Sequence, residues 1–214
     1  ANGSGIQSAV DNAPSPRILT VYNGSVMSST FTMILNVPFM YSYTISSSAS
    51  GLWKNGISAA TAGGSTTSIS NFYIGNYSET SALYAFTGQM GEFLIFNTAL
   101  TTSQRQQVEG YLAHKWGLVP SYPTNIPLSL PGCQLWLDAA DSSSLVLSGS
   151  SVTTWNDKSG NGYHMNTLTA TATWSGGATY PTIGTSINGR TTVNFSPQAG
   201  LRQSTTLDGV KNLF

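Results

Sequence analysis

The chain has 214 residues, enough for one large or two small domains, and only 7% of them are charged, eight acidic against eight basic. A net charge of zero without a basic cluster leaves no electrostatic footprint for nucleic acid. No run is apolar enough for membrane insertion, and no polybasic or amphipathic segment points to a membrane surface. Solubility therefore rests on Ser, Thr, Asn and Gly, while 11% aromatic residues and regular apolar alternation argue against disorder. Cys133 is the single cysteine, so an internal disulfide is excluded and the thiol reads as a small buried apolar residue.

In chain order, residues 17–22 (RILTVY), 30–35 (TFTMIL) and 40–46 (MYSYTIS) read as strands, being β-branched and aromatic with a period near two. Pro38 separates the second from the third. Residues 52–57 (LWKNGI) read as a hairpin, because Asn55-Gly56 supplies the two positive-φ positions of a type I′ turn. Residues 59–68 read as a small-residue loop, and 69–74 and 84–96 as further strands broken at Gly75 and Gly88. A helix follows. Thr101 and Gln104 have capping-box spacing, Val108, Tyr111, Leu112 and Trp116 form one apolar stripe, and Gln106, Gln107 and Lys115 are left to water. Gly117 and Pro120 end it.

Residues 119–131 (VPSYPTNIPLSLP) hold four of the nine prolines and read as a stiff linker. Beyond it, residues 134–138, 152–156, 171–174 and 191–194 read as strands. Residues 210–214 form an apolar run without a closing signal, so the second unit is expected to continue past it.

Two stretches carry a family resemblance. Residues 88–118 (GQMGEFLIFNTALTTSQRQQVEGYLAHKWGL) resemble the closing strand and packed helix of concanavalin A-like, laminin-G-like β-sandwich modules. Leu135-Trp136-Leu137-Asp138-Ala139 with Trp155-Asn156-Asp157-Lys158-Ser159-Gly160-Asn161-Gly162 resembles the opening of the same kind of module. The resemblance implies an all-β fold, an antiparallel concanavalin A-like jelly-roll sandwich with one short C-terminal helix per module. An ending precedes a beginning, so the expected organisation is the C-terminal portion of one module over 1–118, a linker over 119–131 and the N-terminal portion of the next over 132–214. The competing organisation is a circularly permuted single sandwich in which both halves share one core.

Catalytic patterns are missing from the sequence. The carboxylates are Asp11, Glu79, Glu92, Glu109, Asp138, Asp141, Asp157 and Asp208, and none form the E-x-D-x-E strand pattern of the glucanases in this superfamily. Glycosidases need two carboxyls roughly 5 Å apart, or a wider pair when inverting; Glu92 stands alone on its strand. His114 and His164 form no H-x-x-x-H pair, and His114 suits the negative end of the helix dipole. There is no nucleophile elbow, phosphate loop or dinucleotide fingerprint.

Asp138, Asp141, Asp157 and Asn161 are the candidate metal ligands, since hard Ca²⁺ takes six to eight oxygens and many laminin-G-like modules bind calcium. The same Asp-Lys-Ser-Gly-Asn-Gly run is also a self-sufficient turn, and that reading is the favoured one. Trp53, Trp174, Tyr77, Tyr84 and Tyr163, beside Asn76 and Asn161, are candidate sugar-stacking groups, whereas Trp116, Trp136 and Trp155 read as packing residues. Sequons fall at Asn2, Asn23, Asn76 and Asn194.

Modules with similar endings and openings occur in surface proteins of marine bacteria and in virion proteins of giant icosahedral DNA viruses. The resemblance thus implies a non-enzymatic structural and adhesive protein of a virion surface, a minor capsid or fibre-like component. Its partners would be capsid proteins or cell-surface glycans. The alternative is a carbohydrate-binding module of a secreted polysaccharide-degrading enzyme, and the alternative location is secreted or cell surface.

Overall fold

A computed structural model describes residues 7–10, 18–22, 26–32, 34, 36–46, 49–63, 72–75, 86–118, 131–168, 179–196 and 198–214. Residues 119–130 of the expected linker over 119–131, the strand over 171–174, and Asn2, Asn23, Asn76, Tyr77, Tyr84 and Trp174 lie outside these residues. Among the described residues the chain is mostly strand, with antiparallel sheets and one α-helix, as an all-β class requires. It divides into two compact units: unit 1 takes residues 1–69, 94–134 and 207–214, and unit 2 takes 70–93 and 135–206.

Unit 1 contains a three-stranded antiparallel sheet of β1 (Gln7–Val10), β2 (Ile18–Tyr22) and β3 (Val26–Thr32). Its second sheet draws on β4 (Tyr41–Thr44), β5 (Ala49–Lys54), β6 (Ile57–Gly63), β9 (Glu92–Phe96, from Leu94 onward), the Cys133–Gln134 start of β10 (Cys133–Asp138) and β17 (Asn212–Leu213). The order is β10-β9-β17-β4-β5-β6. The hairpin between β5 and β6 turns as its sequence dictates, with Asn55 at φ 49° and Gly56 at φ 79°. Gly51 is required for a separate reason: a Cβ there would stand 2.3 Å from the Trp53 ring.

β17 lies between β9 and β4, pairing Leu213 with both Ile95 and Tyr43. Asn212, fully buried, fixes this placement, since its Oδ1 accepts the Leu100 N–H at 2.8 Å and its Nδ2 donates to Thr44 Oγ1. The core of the unit is Tyr43, Ile45, Leu52, Leu94, Ile95, Phe96, Leu213 and Phe214, with Phe96 and Phe214 edge-to-face at 5.8 Å.

The helix α1 (Thr102–Trp116) starts at a complete capping box of Thr101 and Gln104 and stops at Gly117 in the left-handed region, φ 71°. Val108, Leu112 and Trp116 are buried as the stripe predicts, and Tyr111 is half-buried. Arg105 and Glu109 lie on that same face and are buried too. The Arg105 guanidinium sits 4.1 Å above the Trp53 ring and pairs with the Glu109 carboxylate, which also accepts the Ser42 hydroxyl. Ser42 and Trp53 are cross-strand neighbours of β4 and β5, so one sheet face receives the helix.

Four readings of the sequence are corrected. Residues 59–63 are strand, because the Asn-Gly turn sets a pairing that β6 carries through to Gly63. The strand expected over 30–35 instead begins at Val26 and ends at Thr32, in register with β2. Lys115 is buried, its ammonium above the Tyr111 and Trp116 rings at 5.4 and 5.6 Å. Cys133 is half-buried, as the first residue of β10.

Unit 2 is built on a sheet of order β7-β16-β13-β12-β14-β15-β8, with β11 also paired to β12. These strands are β7 (Phe72–Ile74), β8 (Gly88–Met90), β11 (Leu145–Ser148), β12 (Ser151–Trp155), β13 (Met165–Thr167), β14 (Thr182–Ile183), β15 (Val193–Phe195) and β16 (Leu201–Gln203). Trp155 and Met165 are cross-strand partners and both are fully buried, as are Leu201, Val193 and Phe195. Strands from both sides of the proline-rich segment are hydrogen-bonded within each unit: β17 with β4 and β9 in unit 1, and β7 with β16 and β8 with β15 in unit 2.

Candidate functional site

The candidate metal ligands fall in unit 2, beside a second arrangement that does something different. The first is a turn locked by carboxylates. Asp157, just past β12, is buried and accepts four hydrogen bonds. Its Oδ1 takes the N–H of Trp136 at 3.0 Å and of Ser159 at 2.8 Å; its Oδ2 takes the Ser159 hydroxyl at 2.7 Å and the Tyr163 N–H at 3.0 Å. Gly160 and Gly162 supply the positive φ values of 91° and 76° that the loop needs between those bonds. Asn161 is exposed, with its amide on Ser159 Oγ at 3.1 Å.

Asp138 and Asp141 do converge, but on an ammonium. Lys158 Nζ lies 2.9 Å from Asp138 Oδ2 and 2.8 Å from Asp141 Oδ2, and 4.4 Å above the Trp136 ring. The indole N–H of Trp136 donates to Glu92 Oε1 at 2.6 Å. Asp138 Oδ1 closes on the Ala140 N–H, and Asp141 Oδ1 caps the short 3-10 turn Ser142–Ser144 through Ser143.

These residues do not fit a calcium ion. The Asp157 oxygens are taken by N–H and O–H donors, Lys158 is the cation held by the other two aspartates, and no group of three or more His, Cys, Asp or Glu side chains suited to a metal occurs among the described residues.

Hydrogen bonds from Lys158 and then from Ser143 hold the Asp141 carboxyl at about 2, below the usual 3.8. Burial works against the Lys158 charge, but its bonds to Asp141 and Asp138 outweigh that and raise its pKa above the ordinary 10.5. Because the folded pKa of Asp141 is depressed, its contribution to stability is present above about pH 4 and is lost as the pH falls through about 2. Asp141 is about one-third exposed, with a side-chain exposure of 35%, so that contribution is small. In carboxyl-detected NMR the Asp141 midpoint should lie near 2 in the native chain and return toward 3.8 in Lys158→Met. A midpoint unmoved by the substitution would mean that Lys158 is not its cause.

The second arrangement is an open polar recess of about 420 Å³ on one face of the same sheet. Its lining includes His164, Asn166, Thr167, Arg202, Ser204 and Thr205. Strand geometry places four of these together. Asn166 and Arg202 are cross-strand partners, and His164 and Ser204 lie two residues from them, just beyond the ends of β13 and β16. The row extends to Tyr73, the partner of Arg202 on β7, and to Thr154, the partner of Asn166 on β12. The Arg202 guanidinium is 6.0 Å from the Tyr73 ring. One face of the sheet thus buries Trp155, Met165, Leu201 and Ile74 while the other presents hydroxyls, an amide, an imidazole and a guanidinium.

The imidazole is oriented. His164 Nδ1 accepts the Asp157 N–H at 3.1 Å, which leaves the proton on Nε2 and makes that atom a donor. Asn166 is fixed as well: its Oδ1 accepts Thr154 Oγ1 at 3.1 Å and its Nδ2 donates to the His164 carbonyl at 3.3 Å.

Sequence reasoning found the turn and missed the recess. The available signal was a charged or polar residue at alternate positions, His164 and Asn166, then Arg202 and Ser204, in a chain with few charges. Of the candidate stacking groups, Trp53 is engaged with Arg105 in unit 1, and Tyr163 is half-buried in the Asp157 loop. Trp116, Trp136 and Trp155 are all buried. His114 is exposed in the last turn of α1. Compared with protein-family models, with curated proteins and with solved structures, the chain matches none.

Proposed function

We propose that the chain is a non-enzymatic structural and adhesive component of a virion surface, built on a concanavalin A-like jelly-roll sandwich whose closing helix is α1, and that it contacts glycans or neighbouring capsid proteins. The observation that carries the reading is the open polar recess of unit 2, a shallow site of about 420 Å³ whose groups are fixed by the sheet beneath them. Its side chains are hydrogen-bonding groups suited to a hydrated polyol, and the carboxylates nearby are committed to the turn. Low charge and a wealth of Ser, Thr and Asn favour a surface made for packing into an assembly. The strand pairs formed across the proline-rich segment favour the circularly permuted single sandwich, in which both halves share one core, over two successive modules.

The test is a glycan array probed with the full chain, with and without a calcium chelator. Selective binding unchanged by chelation is the expected result. Binding abolished by chelation would return Asp138, Asp141 and Asp157 to metal duty, and a folded chain that binds no glycan would leave only protein partners. The recess equally suits a carbohydrate-binding module of a secreted polysaccharide-degrading protein, which preferential binding to soluble cell-wall polysaccharide would favour.

A further inference from the structure

The recess has a charge preference that follows from its donors. Arg202 lines the recess and brings a guanidinium there, a planar group of N–H donors. His164 adds its Nε2–H, fixed by the bond from the Asp157 amide. Thr205 and Ser204 add hydroxyls at the rim, and among the described residues lining the recess none is acidic. A guanidinium beside an oriented N–H is the geometry that a carboxylate or sulfate accepts from, with charge-assisted bonds stronger than neutral ones. The remaining lining is polar, which suits a ligand that stays hydroxylated around its charge. The volume, about 420 Å³, is in the range of small-ligand pockets and accommodates one or two sugar rings.

We propose that this recess binds an acidic saccharide unit, its carboxylate or sulfate held by Arg202 and His164 and its hydroxyls by Asn166, Ser204 and Thr205. The assignment rests on the adhesive, glycan-contacting reading above and narrows it to one chemical class.

Calorimetric titration of the full chain with D-glucuronate, D-glucose 6-sulfate, D-glucose and inorganic sulfate at low ionic strength tests it. Either acidic sugar, or both, should bind about tenfold or more tighter than glucose, the ratio that one charge-assisted hydrogen bond provides. The preference should vanish in Arg202→Gln with the melting transition retained. Should that variant fail to fold, Ser204→Glu places a carboxylate at an exposed position of the same recess and should abolish binding of the acidic sugars. Arg190→Gln, away from the recess lining, should change nothing.

Glucose binding as tightly as both acidic sugars, or an acidic-sugar preference that survives both variants, would overturn the proposal. Inorganic sulfate binding as tightly as the acidic sugars would overturn it as well, leaving an anion site without sugar recognition. Array binding confined to neutral glycans would defeat the proposal while leaving the adhesive reading intact. A failure of every sugar in both assays would defeat the proposal and leave the adhesive reading with protein partners only.

Discussion

Asp157→Ala is expected to lower the stability of the chain by about 3–5 kcal/mol, the cost of stranding one buried donor and three part-buried ones at once. The carboxylate accepts the N–H groups of Trp136, Ser159 and Tyr163 and the Ser159 hydroxyl, and it is buried, so water does not replace it. The Trp136 amide is the costliest loss, because it lies within β10 and the bond to it is buried. Asp157→Asn keeps one carbonyl oxygen and should retain part of the stability, about half the loss of the alanine variant. The consequence extends to the recess, since the Asp157 N–H orients His164 and a disordered turn would release that imidazole. Urea unfolding followed by tryptophan fluorescence checks the stability. A loss below about 1 kcal/mol for the alanine variant would show that the loop closes without its carboxylate. The same titration with millimolar calcium probes the metal: a ligand-bound native state is stabilised by mass action, and no rise in the midpoint is expected for the native chain.

The turn was legible because its chemistry is local. Asp followed by Gly and Asn within six residues names its own hydrogen bonds, and the φ values at Gly160 and Gly162 are those the sequence demands. The hairpin at Asn55-Gly56 and the capping box of α1 were legible for the same reason. What the sequence did not disclose is long-range. Lys158 reads as a solvated charge until β10 brings Asp138 and the Trp136 ring beside it. Arg202 and Asn166 are thirty-six positions apart, and only the register of β13 and β16 makes them neighbours. Short strands such as β13 and β14 carry too few residues for period-two alternation to register above the background of Ser and Thr. The last strand reads in the sequence only as an apolar run without a closing signal; Asn212, one polar residue in it, selects the partner by joining Leu100 to Thr44.

Glu109→Ala should be nearly as damaging as the loss of Asp157, and for the opposite electrostatic reason. Glu109 and Arg105 are 4% and 6% exposed, and each satisfies the other while Glu109 also accepts Ser42. An Arg–Glu pair spaced i,i+4 is what a solvated helix face looks like, so nothing local marks it as interior. Removing the carboxylate leaves a buried guanidinium above the Trp53 ring without its counter-charge, at a cost of about 3–5 kcal/mol. The attraction of Trp53 for the cation, roughly 1–2 kcal/mol in a desolvated setting, offsets too little of that to rescue the fold. The double variant Arg105→Met with Glu109→Leu buries apolar surface in the same place and removes both charges. It should recover most of the stability, with Ser42 left short of an acceptor at about 1 kcal/mol. A double-mutant cycle on the helix signal in urea would then yield a coupling of about 2 kcal/mol or more between the two charges. Additive losses would mean that water reaches Arg105 and that the pair is a surface contact. A destabilised double variant would instead make the pair, and its stacking on Trp53, the means by which α1 chooses its seat on β4 and β5.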